Sequence, residues 1–234
     1  MSRLPNISKP SAMPKGTQAP LKHRFLALVG QGFEDVELTP YTSLAGWTRL
    51  FPNLPEIQVV ITGFHEVIRS RHGLRVLREL DLETAAQHEW DAVIIPGGWP
   101  DEGYEELYQE PVLSIIRRTH AQGGVIATSC TGIFAVGEAG LLKGRRATTY
   151  VSPNGCCSLC ANNAERLAEY GALVCQEPLI ADERILSDIG PAIGLRGALA
   201  LLEVFIGEAS VARLRAELLL DGTPMRGKGL GEID

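Results

Sequence analysis

The chain has 234 residues, 45% of them hydrophobic and 21% charged, enough apolar material for one large α/β core. Lysine and arginine number 22 against 28 acidic residues, for a formal charge of −6, and basic residues cluster no further than pairs such as Arg117-Arg118 and Arg145-Arg146. That balance argues against a cationic face for nucleic acid, and no apolar run approaches the roughly 20 residues that span a bilayer.

In chain order, the first segment (1–22) is "MSRLPNISKPSAMPKGTQAPLK", with four prolines and no apolar centre of a secretory signal. It reads as a disordered extension, with a targeting role or a misplaced start as alternatives. Five cysteines, an odd number without a signal peptide, predict reduced thiols and a cytoplasmic location. Short apolar runs then follow at 24–30 (RFLALVG), 57–62 (IQVVIT), 91–98 (DAVIIPGG) and 123–129 (GGVIATS), each stopped by Gly or a polar residue. They lack polar alternation, as strands buried on both faces do. Helical patterns occupy 40–50, 111–122, 130–139, 163–170, 191–206 and 209–220, with further strands expected at 172–176 and 184–188. The alternation predicts a single flavodoxin-like three-layer α/β domain over 23–220 with a mostly parallel sheet, and a flexible tail at 221–234.

In such a sheet, ligands bind beyond the carboxyl ends of the strands, where the strand order reverses. Four loops lie there: "GQGFEDVE", "PGGWPDEG", "SCTG" and "SDIGP". Cys130 sits where an apolar run meets a helical pattern, with Gly132 two positions on, as at a nucleophile elbow. A helix N-terminus aimed at the sulfur would favour the thiolate and lower its pKa, and Thr131 would add a hydroxyl. The alternative is a small buried cysteine without chemistry.

A base for that cysteine is harder to find. All five histidines (His23, His65, His72, His88 and His120) precede Cys130, so a Cys–His triad in the amidotransferase order is excluded. Carboxylates remain: Glu34, Asp35 and Glu37 crowd the first loop, and Pro40 suggests a helix beginning just beyond them. A carboxyl held beside a thiolate keeps its proton and serves as a general acid. Three solvated acids at a helix start are the plainer reading.

"GFEDVE", "DAVIIPGG", "IATSCTG", "GLLKGRRATTY" and "LSDIGPAIGLRGALALLE" together resemble the ThiJ/PfpI superfamily, the DJ-one-like proteins, over about 24–206. The "CTG" continuation is similar to isonitrile hydratase-like members, where Thr follows the cysteine. That group carries Asp where this chain has Glu37. The resemblance implies that Cys130 is the nucleophile, Glu37 its acid, and Gly98 with the Thr131 amide the oxyanion donors, near Gly97. Other members place His where this chain has Thr131 or Tyr150, so His-dependent chemistry is not expected; Tyr150 offers a hydroxyl or an aromatic wall.

The implied protein is a cofactor-independent hydratase or hydrolase acting on a small electrophile, a homodimer as the family usually is. Glyoxalase- or deglycase-type chemistry is the alternative, as is a non-catalytic stress sensor or chaperone with an oxidisable Cys130. Little chain is left for an appended DNA-binding domain. "CCSLC" (Cys156, Cys157, Cys160) has C-x-x-C spacing, but a zinc site needs a second pair, so ordinary loop or pocket cysteines are favoured over zinc or a redox pair. "GQG" lacks the third glycine of a dinucleotide fingerprint. Trp47 and Trp90 read as core or rim, and Trp99, after the double glycine, as facing the crevice.

Overall fold

The apolar runs become strands because both faces of each are covered. The structure, a computed structural model, describes residues 23–51, 54–152, 154–155 and 157–220. It opens with β1 (His23–Leu28), α1 (Asp35–Thr48), β2 (Ile57–Thr62), a hairpin of β3 (Val67–Arg69) and β4 (Arg75–Leu77), and the single turn α2 (Leu82–Ala85). Next come β5 (Ala92–Ile95), α3 (Val112–Ala121), β6 (Val125–Ser129) and α4 (Ile133–Glu138). The last third holds β7 (Arg146–Ala147), α5 (Asn163–Glu169), β8 (Leu173–Val174), β9 (Leu179–Asp182), β10 (Ile185–Asp188), α6 (Gly194–Ile206) and α7 (Glu208–Glu217).

Six strands form the central sheet in the order β2-β1-β5-β6-β10-β9. Every neighbour pair is parallel except β9 with β10. Successive side chains point to opposite faces, so one run feeds two cores. Leu26, Leu28, Val93, Ile95 and Ile126 pack with Ile115, Ile116 and Phe134 of α3 and α4. Phe25, Ala27, Ala92, Ile94 and Ala127 pack with Leu38, Leu44, Leu201 and Leu202 of α1 and α6. The strand order reverses between β1 and β5, and the carboxyl ends there open onto the crevice.

Several expectations need correction. The helix after β1 starts at Asp35, ahead of Pro40, which lies inside it. Proline removes one amide donor from the ladder, and the carbonyl it frees, that of Val36, lies against the backbone of Gly194. The strand expected at 172–176 shrinks to Leu173–Val174, pairs with β7 and stays outside the central sheet. The antiparallel edge β9 and the β3–β4 hairpin carry short, mixed patterns that periodicity does not single out. The expected extension at 1–22 and tail at 221–234 lie outside the described residues. Among the described residues no helix is long and apolar enough to cross a membrane.

Ile94 is fully buried in β5 between two parallel neighbours. Ile94→Ala is expected to lower the unfolding free energy by about 2–5 kcal/mol, read from urea denaturation.

Candidate active site

Cys130 stands at the turn from β6 into α4 with φ 54°, a left-handed backbone rarely adopted outside glycine and asparagine. A 3-10 turn, Cys130–Gly132, makes the junction. A Cβ on Gly132 would come within 2.2 Å of the Ile95 carbonyl oxygen, so only glycine lets this turn pack on β5. The Thr149 hydroxyl donates to the Cys130 carbonyl at 2.9 Å and holds the turn from the other side. The sulfur is thereby lifted off the strand end into the crevice.

The acid arrives from α1. Its buried face carries Glu37, Leu38, Tyr41, Leu44, Ala45 and Thr48, a helical stripe in which one position is a carboxylate. Glu37 has no exposed surface, so it is not one of three solvated acids. Its Oε2 accepts from the Gly97 amide at 2.7 Å, while Oε1 is buried with no hydrogen-bond partner in the fixed frame. Cys130 and Glu37 converge on two glycines. A Cβ on Gly97 would lie 2.7 Å from both the Cys130 Cβ and Glu37 Oε2. One on Gly190, at φ +113°, would lie 3.0 Å from Glu37 Oε1 and 3.5 Å from the Cys130 sulfur.

Behind this pair lies a carboxyl that the sequence reading passed over. Asp188 ends β10 and is 1% exposed. Its Oδ2 accepts from the Ser129 hydroxyl at 2.9 Å and its Oδ1 from the Gly190 amide at 2.9 Å. It therefore braces both the residue before the cysteine and the glycine turn over the sulfur. A polar position closing an apolar strand, directly before Ile-Gly-Pro, was the available signal.

Burial dominates the titration of all three groups. It pushes Glu37 well above the usual carboxylate range, helped by the charges of Asp188 and Glu34 and opposed by the Gly97 amide and Cys130. Asp188 is pushed up to about 7 by burial, against hydrogen bonds from Gly190 and Ser129. The Cys130 thiol also rises, by burial and then the Glu37 charge, opposed by the Thr131 amide and hydroxyl. The expected lowering by the helix N-terminus is thus outweighed: α4 has only 6 residues and follows a 3-10 turn, while desolvation acts in full. Desolvation and the neighbouring charge thus disfavour an anion at both Glu37 and Cys130, and the Asp188 carboxyl behind them adds to the pressure on Glu37.

The cavity at this site measures about 120 Å³, room for a small organic group. Glu37, Gly98, Trp99, Cys130, Thr131 and Tyr150 all line it, with Glu34, Pro100, Leu159, Cys160 and Pro191 completing the wall. None of the five histidines does; His72 stands one residue removed, 3.1 Å from Glu34. Gly97 backs the floor through its amide. The Gly98 amide, expected as an oxyanion donor, is already taken: it donates to Thr131 Oγ1 at 2.9 Å, and that hydroxyl reaches the Gly98 carbonyl at 2.9 Å. Arg71 lies 4.9 Å over the Trp99 ring and bonds Asp101 and Glu102, stiffening that rim. Trp90 is buried and donates to the Ala85 carbonyl.

The cysteine cluster differs from expectation. Cys157 and Cys160 form a disulfide, whereas ordinary reduced thiols were favoured; Cys130 and Cys175 are free, and Cys156 lies outside the described residues. C-x-x-C spacing around a 3-10 turn brings the two Cα atoms to 5.4 Å, within bonding range.

A parallel α/β sheet with a left-handed cysteine at a strand-to-helix turn, facing a buried carboxyl, defines the class. The chain belongs to the DJ-1/PfpI family, whose model matches residues 23–203. It is 33% identical to the protein named deglycase PfpI of Pyrococcus furiosus over 130 residues, 55% of this chain and 72% of that one. It is 27% identical to an isonitrile hydratase of Pseudomonas putida over 188 residues, 79% of this chain and 73% of that one. The crystal structure of Drosophila melanogaster DJ-1beta matches with a TM-score of 0.70 at 20% identity, covering 84% of this chain and 97% of that one. A ThiJ/PfpI family protein from Pseudomonas syringae matches with 0.71 at 19% identity, covering 95% and 86%. These structural likenesses speak to the fold.

Because the raised Asp188 binds its proton more tightly folded than unfolded, its stabilising contribution is full below about pH 4 and lost as pH rises towards about 7. Asp188→Asn is expected to flatten that decline, by roughly 2–4 kcal/mol between pH 4 and 8 relative to wild type, in urea denaturation across that range.

Proposed function

We propose that the protein is a cysteine-dependent, cofactor-independent enzyme that adds water to a small electrophilic carbon, in the manner of an isonitrile hydratase. The observation that carries this reading is the fully buried Glu37 carboxyl converging with Cys130 on the same glycine turn, in a cavity without a histidine wall. A neutral acid beside a thiol suits an addition in which one proton moves between sulfur, carboxyl and substrate.

In the proposed sequence the Cys130 sulfur bonds to the terminal isonitrile carbon, and that carbon takes up the proton held by the Cys130–Glu37 pair. The product is a thioimidate on Cys130. Water then adds to the same carbon, one of its protons passing through Glu37 to the nitrogen; the C–S bond breaks as the other passes to the sulfur. The N-substituted formamide leaves and the thiol is restored. The Thr131 amide, hydrogen-bonded to the sulfur, is placed to meet charge that develops as the C–S bond forms and breaks, while the Thr131 hydroxyl is held by Gly98. Trp99 and Tyr150 form side walls that shape the substrate.

A second reading is favoured by the 33% identity to the relative named a deglycase: attack of Cys130 on an oxoaldehyde-derived carbonyl. The same thiol and acid would serve it. The two readings separate by product. The first expects an alkyl isonitrile to give its formamide, detected by gas chromatography, and the second expects loss of methylglyoxal. Cys130→Ser is expected to abolish turnover, and Glu37→Gln to lower kcat by about 10²-fold or more with KM changed less. Turnover that survives Cys130→Ser overturns both readings.

A further inference from the structure

The C-x-x-C pair is not used by the chemistry above, yet it forms part of the same cavity. Cys160 is buried and lines the cavity together with Cys130. Two adjacent residues fix this arrangement. Thr149 binds the Cys130 carbonyl at 2.9 Å, and the carbonyl of Tyr150 accepts from the Asn163 side chain at 2.8 Å. Cys160 lies three positions before Asn163, so its segment is moored to the wall that carries Cys130. Its bonded partner Cys157 is only half-buried. One residue of the pair therefore lines the cavity and the other lies closer to solvent, the polarity a dithiol relay needs.

We propose that Cys157 and Cys160 are a resolving pair for Cys130, and that the protein reduces hydroperoxides with these three cysteines at the expense of an external thiol. The inference rests on the reading of Cys130 as a nucleophile. With the pair reduced, the Cys130 sulfur attacks the distal oxygen of a hydroperoxide; the O–O bond breaks, the alkoxide takes the proton of Glu37 and the thiol's proton replaces it there, leaving Cys130 as a sulfenic acid. The Cys160 thiol attacks the Cys130 sulfur, forming a Cys130–Cys160 disulfide and releasing water. The Cys157 thiol then attacks the Cys160 sulfur, forming the Cys157–Cys160 disulfide seen in the structure and returning Cys130 to the thiol. In sum, one hydroperoxide and one dithiol give one alcohol, one water and one disulfide. An external thiol, oxidised in turn to its own disulfide, reopens the pair through the more accessible Cys157.

The experiment uses the full chain with Cys156→Ser throughout, reduced, desalted and treated with one equivalent of hydrogen peroxide, followed by non-reducing peptide mapping. The parent is expected to return the Cys157–Cys160 disulfide with Cys130 free. Adding Cys157→Ser is expected to accumulate a Cys130–Cys160 disulfide, and adding Cys160→Ser to leave Cys130 oxidised by one or more oxygens. Adding Cys130→Ser is expected to slow peroxide-driven closure of the pair at least tenfold. Closure at the parent rate without Cys130 overturns the proposal. So does Cys130 sulfinate without any cross-link in the Cys157→Ser protein, although the nucleophile reading survives that result. If Cys130 takes up no oxygen in any variant and isonitrile and methylglyoxal also go unturned, both readings fall together.

Discussion

The organising constraint is the burial of one carboxyl. Glu37 sits with no exposed surface and one backbone amide as its fixed donor, a state that costs free energy for the ionised form. Much of the neighbourhood follows from accommodating it. Gly97 and Gly190 carry no side chains because the carboxyl and the sulfur occupy that space. Burial and the Glu37 charge raise the Cys130 thiol beside it, so an anion at either group disfavours one at the other. Asp188 sets the electrostatic background behind them while its hydrogen bonds hold the two loops that frame the sulfur.

The site divides into a floor and a wall with different origins. The floor comes from the carboxyl ends of β1, β5, β6 and β10, where close backbone approach leaves little freedom to vary. The wall comes from Trp99, Tyr150 and the segment reaching Cys160, supplied by connections between elements. The sulfur and its backbone neighbours are thereby placed by the sheet, and the outline of the cavity by loops, where sequence change disturbs the sheet least. Relatives named for different reactions fit such a division.

Much of this was legible in the residues alone. Continuous apolar runs announced buried parallel strands, and the position of Cys130 before Gly132 announced the elbow. Glu37 was singled out by resemblance; with the helix expected from Pro40 onward, the residues alone read more plainly as three solvated acids. What escaped were matters of distance. Pro40 was taken to open α1 although a helix tolerates it inside when the freed carbonyl meets a glycine on α6. The thiol was expected to be activated by a helix end, but α4 is short and desolvation is not visible in a sequence. Nor could spacing show that the Gly98 amide is already engaged by Thr131, or that Cys160 turns back to the pocket.

The contact between α1 and α6 reaches further than its distance from the pocket suggests. Gly194 and Gly197 present bare backbone to α1 and to Asp188: a Cβ at Gly197 would stand 2.4 Å from Asp188 Oδ2 and 2.9 Å from the Tyr41 hydroxyl. The separation of these two helices sets how far α1 advances, and Glu37 rides on α1. Interhelical spacing therefore acts as a vernier on where the Glu37 carboxyl stands relative to the Cys130 sulfur. A change in that packing would reach the pocket floor from behind the sheet, without touching any residue that lines the cavity.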